Sequence, residues 1–332
     1  QVTTLQADIQ RSFPTQNIVG RSPGLHQALS AATQAATNQS TLLVSGEAGT
    51  GKELMARFIH EQGDLADDPF VTISCGTLTE ALLEHKLFGM EGGSTTHSPG
   101  AFDLATSGTV LLDDVGALSP ALQSKLLTVV QHQEFVRVGG TQVHRTEARI
   151  IATCNQNLKA DIAAGRFRED LYNRLSVIAL EVLPLRHRLE DLPLLVEHFA
   201  RACQRNNQRP VTSYSDKTIA RMNAYPWPGN LQELRNIVER MAVLHPDATT
   251  ILPEHLPAEF HDNSLVQRPA VELGKTSLDE AVNAYERDLV ENALVVSRGI
   301  QTRAAEMLGT TRRILKYRME KLNISDDRAH YR

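Results

Sequence analysis

The chain has 332 residues, of which 41% are hydrophobic and 22% charged, with a net charge of −5. That balance excludes a disordered or fibrous chain and leaves room for two or three folded units with cores of their own. No apolar run approaches the roughly 20 residues that cross a bilayer, so no membrane partner and a cytoplasmic location are expected.

Residues 1–17 read as a polar linker, and because the chain opens on Gln1 and not Met, a sensory or receiver domain is expected upstream. Ile18-Val19-Gly20 starts the first folded unit, and Gln27 to Thr37 reads as an alanine-rich helix. The apolar run Thr41-Leu42-Leu43-Val44 then enters Gly46-Glu47-Ala48-Gly49-Thr50-Gly51-Lys52-Glu53, which is followed by the helical stretch Leu54 to Ile59. Strand, glycine-rich turn and helix surround a pocket with backbone N–H groups and a positive helix end, an arrangement that suits phosphate. Lys52 meets the outer phosphates there as a point charge. The hydroxyl residue that usually closes this signature is replaced by Glu53.

Further along, Pro69 to Ser74 reads as a strand and Glu80 to Phe88 as a helix. Thr109 to Leu112 is a strand running into Asp113-Asp114, and Ala148 to Thr153 is another, ending near Asn155. Short apolar strands alternating with helices predict an α/β parallel sheet, with its ligands at the carboxyl edge where both acids and Asn155 lie. After Pro184 the pattern turns helical, with Asp191 to Gln204, Ser215 to Ala224 and Gly229 to Leu244 as a small lid. Cys75, Cys154 and Cys203 are scattered and odd in number, the usage of reduced thiols that serve as small buried apolar residues.

The stretch 261–275 has little periodicity and reads as a linker. Beyond it Leu278, Val282, Tyr285, Leu289, Ala293 and Val296 recur at helical spacing, suited to packing on a second copy. Gln301 to Gly309 gives a short helix and a glycine turn, and Thr311 to Leu322 a basic helix. Ile314, Leu315 and Met319 or Leu322 are expected to face inward. Thr311, Arg312, Arg313, Lys316, Tyr317 and Arg318 are left for double-stranded DNA. Charge agrees: seven basic residues against two acidic ones between Arg298 and Lys321 give +5, so the rest of the chain carries −10 of the total of −5.

Gly46 to Glu53, Leu87-Phe88-Gly89, Gly108 to Asp114, Phe167 to Leu175 and Trp227-Pro228-Gly229-Asn230 resemble the AAA+ domain of bacterial enhancer-binding proteins, the NtrC-type activators of sigma-54 RNA polymerase. The C-terminal unit resembles the Fis-type helix-turn-helix that ends them. The resemblance implies an α/β AAA+ P-loop subdomain over 18–182, a helical lid over 183–260 and an all-α helix-turn-helix domain over 276–332. It implies ATP or ADP with Mg²⁺ as cofactor, bound by Ile18, Val19, Gly46, Glu47, Ala48, Gly49, Thr50, Gly51, Lys52 and Glu53, with Asp113 on the metal. Asn155 becomes the sensor residue. Arg168 and Arg174 match the arginines that reach a neighbouring subunit's γ-phosphate. RNA polymerase holoenzyme, a dimer through the C-terminal domain and a hexamer through the AAA+ domain are the implied partners.

Four departures fall on hydrolysis and output. Asp114 stands where the family has a Glu that polarises the attacking water, and Ser74 stands where an Asn partners that Glu. Gln232 replaces the lid arginine that senses the γ-phosphate. Glu91 to Gly100 lacks the Gly-Ala-Phe-Thr-Gly-Ala letters that touch sigma-54 and is shorter by about four residues on the family's loop pattern. This is similar to the divergent branch of TyrR-, VpsR- and FleQ-like members, and Val238 to Pro246 looks like FleQ, which implies cyclic di-GMP as an effector. The expectation is a transcription regulator whose degenerate AAA+ domain binds nucleotide without remodelling sigma-54. The alternative is an active sigma-54-dependent ATPase.

Overall fold

The computed structural model describes residues 18–92, 97–155, 157–207, 213–246, 248–260, 300–322 and 324, with scattered positions between 283 and 297. The chain divides into one unit up to Phe260 and a second from His261.

The first unit is built on a five-stranded parallel sheet, the α/β architecture expected from the alternating pattern. Its strands are β1 (Leu42–Ser45), β2 (Phe70–Ser74), β5 (Thr109–Asp113), β8 (Arg149–Cys154) and β9 (Ile178–Glu181), in the order β2-β5-β8-β1-β9. Every pairing among them is parallel. All six residues of β8 are buried, as are Leu42, Leu43 and Val44 of β1, because helices cover both faces of the sheet. Side chains alternate between two cores. Leu43, Val110, Leu112 and Ala152 pack with Leu83, Leu126 and Leu171 on one face, and Leu42, Val44, Leu111 and Ile151 with Ala32, Met55 and Ile59 on the other.

Helix α1 (Pro23–Ala36) starts four residues before the expected Gln27, because Ser22 caps it and Pro23 occupies its first turn. Its buried Ala32, Ala35 and Ala36 let it lie close against α2 (Lys52–Glu61). Helix α3 (Glu80–Phe88) falls where the sequence puts it. Strand β9 and the hairpins β3 (Met90–Glu91) with β4 (His97–Ser98) and β6 (Glu134–Val136) with β7 (Val143–Arg145) add to the expected elements. Helices α4 (Ala101–Ala105), α5 (Pro120–His132), α6 (Leu158–Ala163) and α7 (Glu169–Leu175) complete the α/β part.

The lid consists of α8 (Leu192–Asn207), α9 (Asp216–Asn223) and α10 (Asn230–Leu244), with a short parallel pair β10 (Ser213–Tyr214) and β11 (Thr250–Ile251). Leu192, Leu195, Val196, Met222, Leu234 and Val238 surround Trp227, which is fully buried and donates its Nε1–H to the Met222 carbonyl at 2.9 Å. Among the described residues no helix is long and apolar enough to cross a membrane.

In the second unit α11 (Gln301–Met307) and α12 (Arg312–Lys321) are joined through Gly309, whose φ of 64° is left-handed. Leu315, Met319 and Leu322 pack with Ala304, Ala305, Val290, Ala293 and Leu294. Ile314 does not join them: it is 49% exposed, because the 315, 319 and 322 spacing already fills the inward face. Of the expected dimer stripe, Leu289 is exposed and Ala293 is buried in its own unit, while Leu278, Val282, Tyr285 and Val296 lie outside the described residues. So do the two stretches read as linkers, 1–17 and 261–275.

Below the sheet sits a buried cationic group. The His60 Nδ1 lies 2.9 Å from the Thr109 hydroxyl, Arg57 stacks over the Phe70 ring at 4.6 Å, and Arg149 donates to the Ala35 carbonyl at the end of α1 at 2.7 Å. Burial holds the His60 imidazole below its ordinary value; a hydrogen bond to the Asp68 backbone carbonyl and the Asp68 charge oppose this, and the charges on Arg57 and Arg149 add to it. The unfolded chain therefore binds the proton more readily, and stability present above pH 6.5, the ordinary value, falls as the pH drops below it. Thermal unfolding followed from pH 7.5 to 5 is expected to show that decline, flattened by His60→Gln; an equal slope in the variant would contradict it.

Candidate nucleotide site and nucleic-acid interface

The glycine-rich loop takes the backbone shape that its letters call for. Gly49 and Gly51 have φ of 75° and 98°, and a Cβ on Gly49 would sit 2.3 Å from the Gly229 carbonyl. Gly51 starts α2, so the positive end of a ten-residue helix faces the loop. Lys52 is buried, and its ammonium donates to the carbonyls of Gly46 and Glu47 at 2.9 and 2.7 Å and to Asn155 Oδ1 at 2.5 Å. Burial lowers its pKa, while Asp113, across the sheet edge, pulls it back up. Sequence reasoning placed Lys52, Asn155 and Asp113 at one edge, and the structure brings all three together. Glu53 is exposed and 3.9 Å from Arg57; Ile18 and Val19 are half-buried, with Val19 packed on the lid core.

The lid grips this loop through residues whose partners are mostly backbone. Asn230, fully buried and left-handed at φ 53°, donates to the Ala48 carbonyl at 3.0 Å and to Glu47 at 3.2 Å, and its Oδ1 accepts from Leu185 N–H at 2.8 Å. The Leu231 N–H reaches the Gly49 carbonyl at 2.9 Å, and Arg188 reaches that of Thr50 at 2.8 Å. Arg186 forks onto Glu47 at 2.7 and 2.5 Å, which brings that carboxyl down to about 2. At the start of α8, Asp191 accepts from the N–H groups of Arg21 and Ser22 and from the Ser22 hydroxyl at 2.6 to 2.7 Å. Nothing in the sequence singles out Arg186, Arg188 or Asp191, and Asn230 stands there only as the last letter of the Trp-Pro-Gly-Asn motif.

Asp113 ends β5, and its Oδ1 accepts from the Thr153 hydroxyl at 2.7 Å. Asp114 follows at φ 60° and ψ 62°; its N–H donates to the same Thr153 oxygen at 3.0 Å, and its Oδ1 is buried without a hydrogen-bond partner among the described residues. A hard carboxylate such as Asp113 at the mouth of a phosphate loop, beside a lysine, would suit Mg²⁺, while the unpartnered Asp114 oxygen is left without a bond of its own. Burial pushes the neighbouring thiols up, Cys75 to about 12 and Cys154 to about 11, so neither is a thiolate at neutral pH. Ser74 ends β2, in register with Asp113.

Gln232, on α10, hydrogen-bonds Asn236 at 3.4 Å and lines a cavity of about 610 Å³ with Ala48, Gly49, Glu233 and Arg240. Arg168 starts α7, exposed and forked onto Asp170 at 3.0 and 2.7 Å, with Arg174 exposed further along that helix. Among the described residues neither hydrogen-bonds to loop 46–52 of its own chain.

On α12, Thr311 caps the helix by accepting from Ile314 N–H, and Arg312, Arg313, Lys316 and Tyr317 are exposed, Tyr317 by 64%. Arg318 is also exposed but pairs with Glu286, and Arg312 is 3.4 Å from Gln301. Together they form a basic, partly aromatic helix face.

Asn230→Ala strands the Leu185 N–H in the core and releases the Ala48 carbonyl, and it is expected to cost about 1–3 kcal/mol of stability by chemical denaturation. A variant as stable as the parent would contradict the clasp.

Three family models match in succession: the Sigma-54 interaction domain over residues 18–181, the AAA+ ATPase lid domain over 186–272 and the Fis-family bacterial regulatory protein over 282–322. The chain is 36% identical to the regulatory protein AtoC of Escherichia coli (strain K12), over 98% of this chain and 71% of AtoC. It is 36% identical to the DNA-binding transcriptional regulator NtrC of Rhizobium meliloti (strain 1021), over 97% of this chain and 72% of NtrC. Of the Nif-specific regulatory protein of Azotobacter vinelandii, 39% identical, it spans 62%. Crystal structures of NtrX from Brucella abortus, in complex with ADP and in complex with ATP, superpose with a TM-score of 0.71 at 33% identity, over 97% of this chain and 72% of theirs. With its sheet, lid and helix-turn-helix matched in order, the chain belongs to the NtrC-type family of bacterial enhancer-binding transcription regulators.

Proposed function

We propose that this protein binds ATP or ADP at loop 46–52 and uses occupancy of that site to control its assembly on DNA and hence transcription. The observation that carries the reading is the clasp of Asn230, Arg186 and Arg188 on the loop, since a loop bonded to the lid along its length transmits what it holds. Lys52 exchanges its carbonyl partners for the outer phosphates, and Asp113 would hold Mg²⁺, which neutralises phosphate charge when bound. Residues 18–182 and 183–260 act as the two halves of the AAA+ module, and 276–332 as the DNA-binding domain, dimeric through its own helices.

Hydrolysis is slow in this reading. Asp114 is one methylene shorter than the Glu that the resemblance implies, and a base short of its water loses orders of magnitude. Gln232 brings an amide where a cation would stabilise transition-state charge. Cyclic di-GMP is the effector that the likeness of 238–246 to FleQ suggests.

A second reading, a working ATPase that remodels sigma-54 holoenzyme, is favoured by the match of 18–181 to the Sigma-54 interaction domain and by the presence of Lys52, Asp113, Arg168 and Arg174. In it, Arg168 and Arg174 reach the nucleotide of a neighbour in a hexameric ring.

The readings separate when ATP, ADP and cyclic di-GMP are titrated with and without duplex DNA and phosphate release is followed on the same sample. Tight ATP binding with little turnover is expected, and Asp114→Glu with Gln232→Arg should raise turnover by about tenfold or more. Rapid turnover in the parent, with no gain in the variant, would establish the motor instead. On DNA, Arg313→Ala should weaken binding across sequences and make the slope of log K against log salt shallower by about 0.9. An unchanged slope would remove Arg313 from the interface.

A further inference from the structure

Strand β8 and the residue just past its end supply two polar side chains, Thr153 and Asn155. Asn155 holds the Lys52 ammonium. Thr153 holds both acids. Its hydroxyl carries one proton, and the Asp114 N–H already donates to its oxygen at 3.0 Å, so that proton lies on the 2.7 Å bond to Asp113 Oδ1. The order is thus fixed: Asp114 N–H to Thr153 to Asp113.

The order has two effects. Asp113 keeps one oxygen occupied by a neutral donor, which restrains its carboxylate and leaves the other oxygen free of that bond. Asp114 is pinned by its backbone in the left-handed region that a non-glycine residue rarely takes, with its carboxylate swung over Gly76 at the end of β2. A Cβ on Gly76 would lie 3.5 Å from Asp114 Oδ2. Thr153 is itself fully buried, so water does not compete for these bonds.

Resting on the nucleotide reading above, we propose that Thr153 is a positioning residue that separates the two acids into different tasks: Asp113 set for the metal of a metal–nucleotide complex, Asp114 turned away from it. Valine matches threonine in shape and lacks the hydroxyl, serine keeps the hydroxyl without the methyl, and cysteine offers only a weak donor.

The test compares ATP affinity in EDTA and in millimolar Mg²⁺, by calorimetry on the full chain, for the parent and for Thr153→Val, Thr153→Ser and Thr153→Cys. In the parent, Mg²⁺ should tighten binding, and Thr153→Ser should keep that ratio. Thr153→Val should lose about tenfold of it while affinity in EDTA stays within about twofold, because the lysine and loop are untouched. If the valine variant fails to fold, the cysteine variant carries the same expectation. A ratio unchanged in valine or cysteine would reduce Thr153 to packing and overturn the proposal. ATP binding in the parent with no response to Mg²⁺ would overturn it while leaving the nucleotide site standing, whereas no ATP binding under either condition would overturn both.

Discussion

The side-chain amide of Asn230 is the point on which the rest of the first unit depends. One buried group donates into the phosphate loop and accepts from the start of the lid, and so joins two bodies whose hydrophobic cores are separate. An amide suits this task because it offers donors and acceptor from one planar end, and its short side chain tolerates the left-handed backbone required there. Around it, Leu231 and Arg188 take the next two carbonyls of the loop. The Arg186–Glu47 fork is half-exposed and adds direction more than strength. The loop is shaped from one side by glycines and held from the other by the lid.

On the sheet side, the same logic uses side chains. The central strands β5, β8 and β1 are apolar through their middles, and towards their carboxyl ends they offer Asp113, Thr153 and Ser45. Burying the strands on both faces excludes water from below, so the polar groups at the edge must satisfy one another: lysine with the Asn155 amide, hydroxyl with acid, N–H with hydroxyl. Asp114 Oδ1 is the exception, buried with no hydrogen-bond partner among the described residues.

What could be read from the sequence follows from where the partners lie. Strands β1, β5 and β8 were legible because double burial writes them as apolar runs, and Glu80 to Phe88 because its helix is self-contained. The early start of α1 was carried by Ser22-Pro23, a capping signal that the alanine pattern overshadowed. Strand β9 and the hairpins are too short to show a period. The strand pattern placed Asp113 and Asn155 at the carboxyl edge, and the family resemblance supplied their roles with Arg168 and Arg174, but Arg186, Arg188 and Asp191 mostly bond backbone atoms or distant chain, and a backbone atom leaves no letter to recognise. Ile314 misled because four apolar residues were offered to one face, which Leu315, Met319 and Leu322 fill without it. Thr153 read as a strand residue, which it is; its hydroxyl gained a role only once β5 lay beside it.

Asp191 gathers the N–H groups of Arg21 and Ser22 and the Ser22 hydroxyl, and Gly20 lies so close that a Cβ there would come within 2.8 Å of its carboxylate. The segment leading into the domain is thus fastened at one point to two elements, the start of α8 through Asp191 and the start of α1 through its cap Ser22. A pull or twist on residues 18–20 would act as on a forked lever, one arm leading through α8 into the lid and the other through α1 onto the sheet.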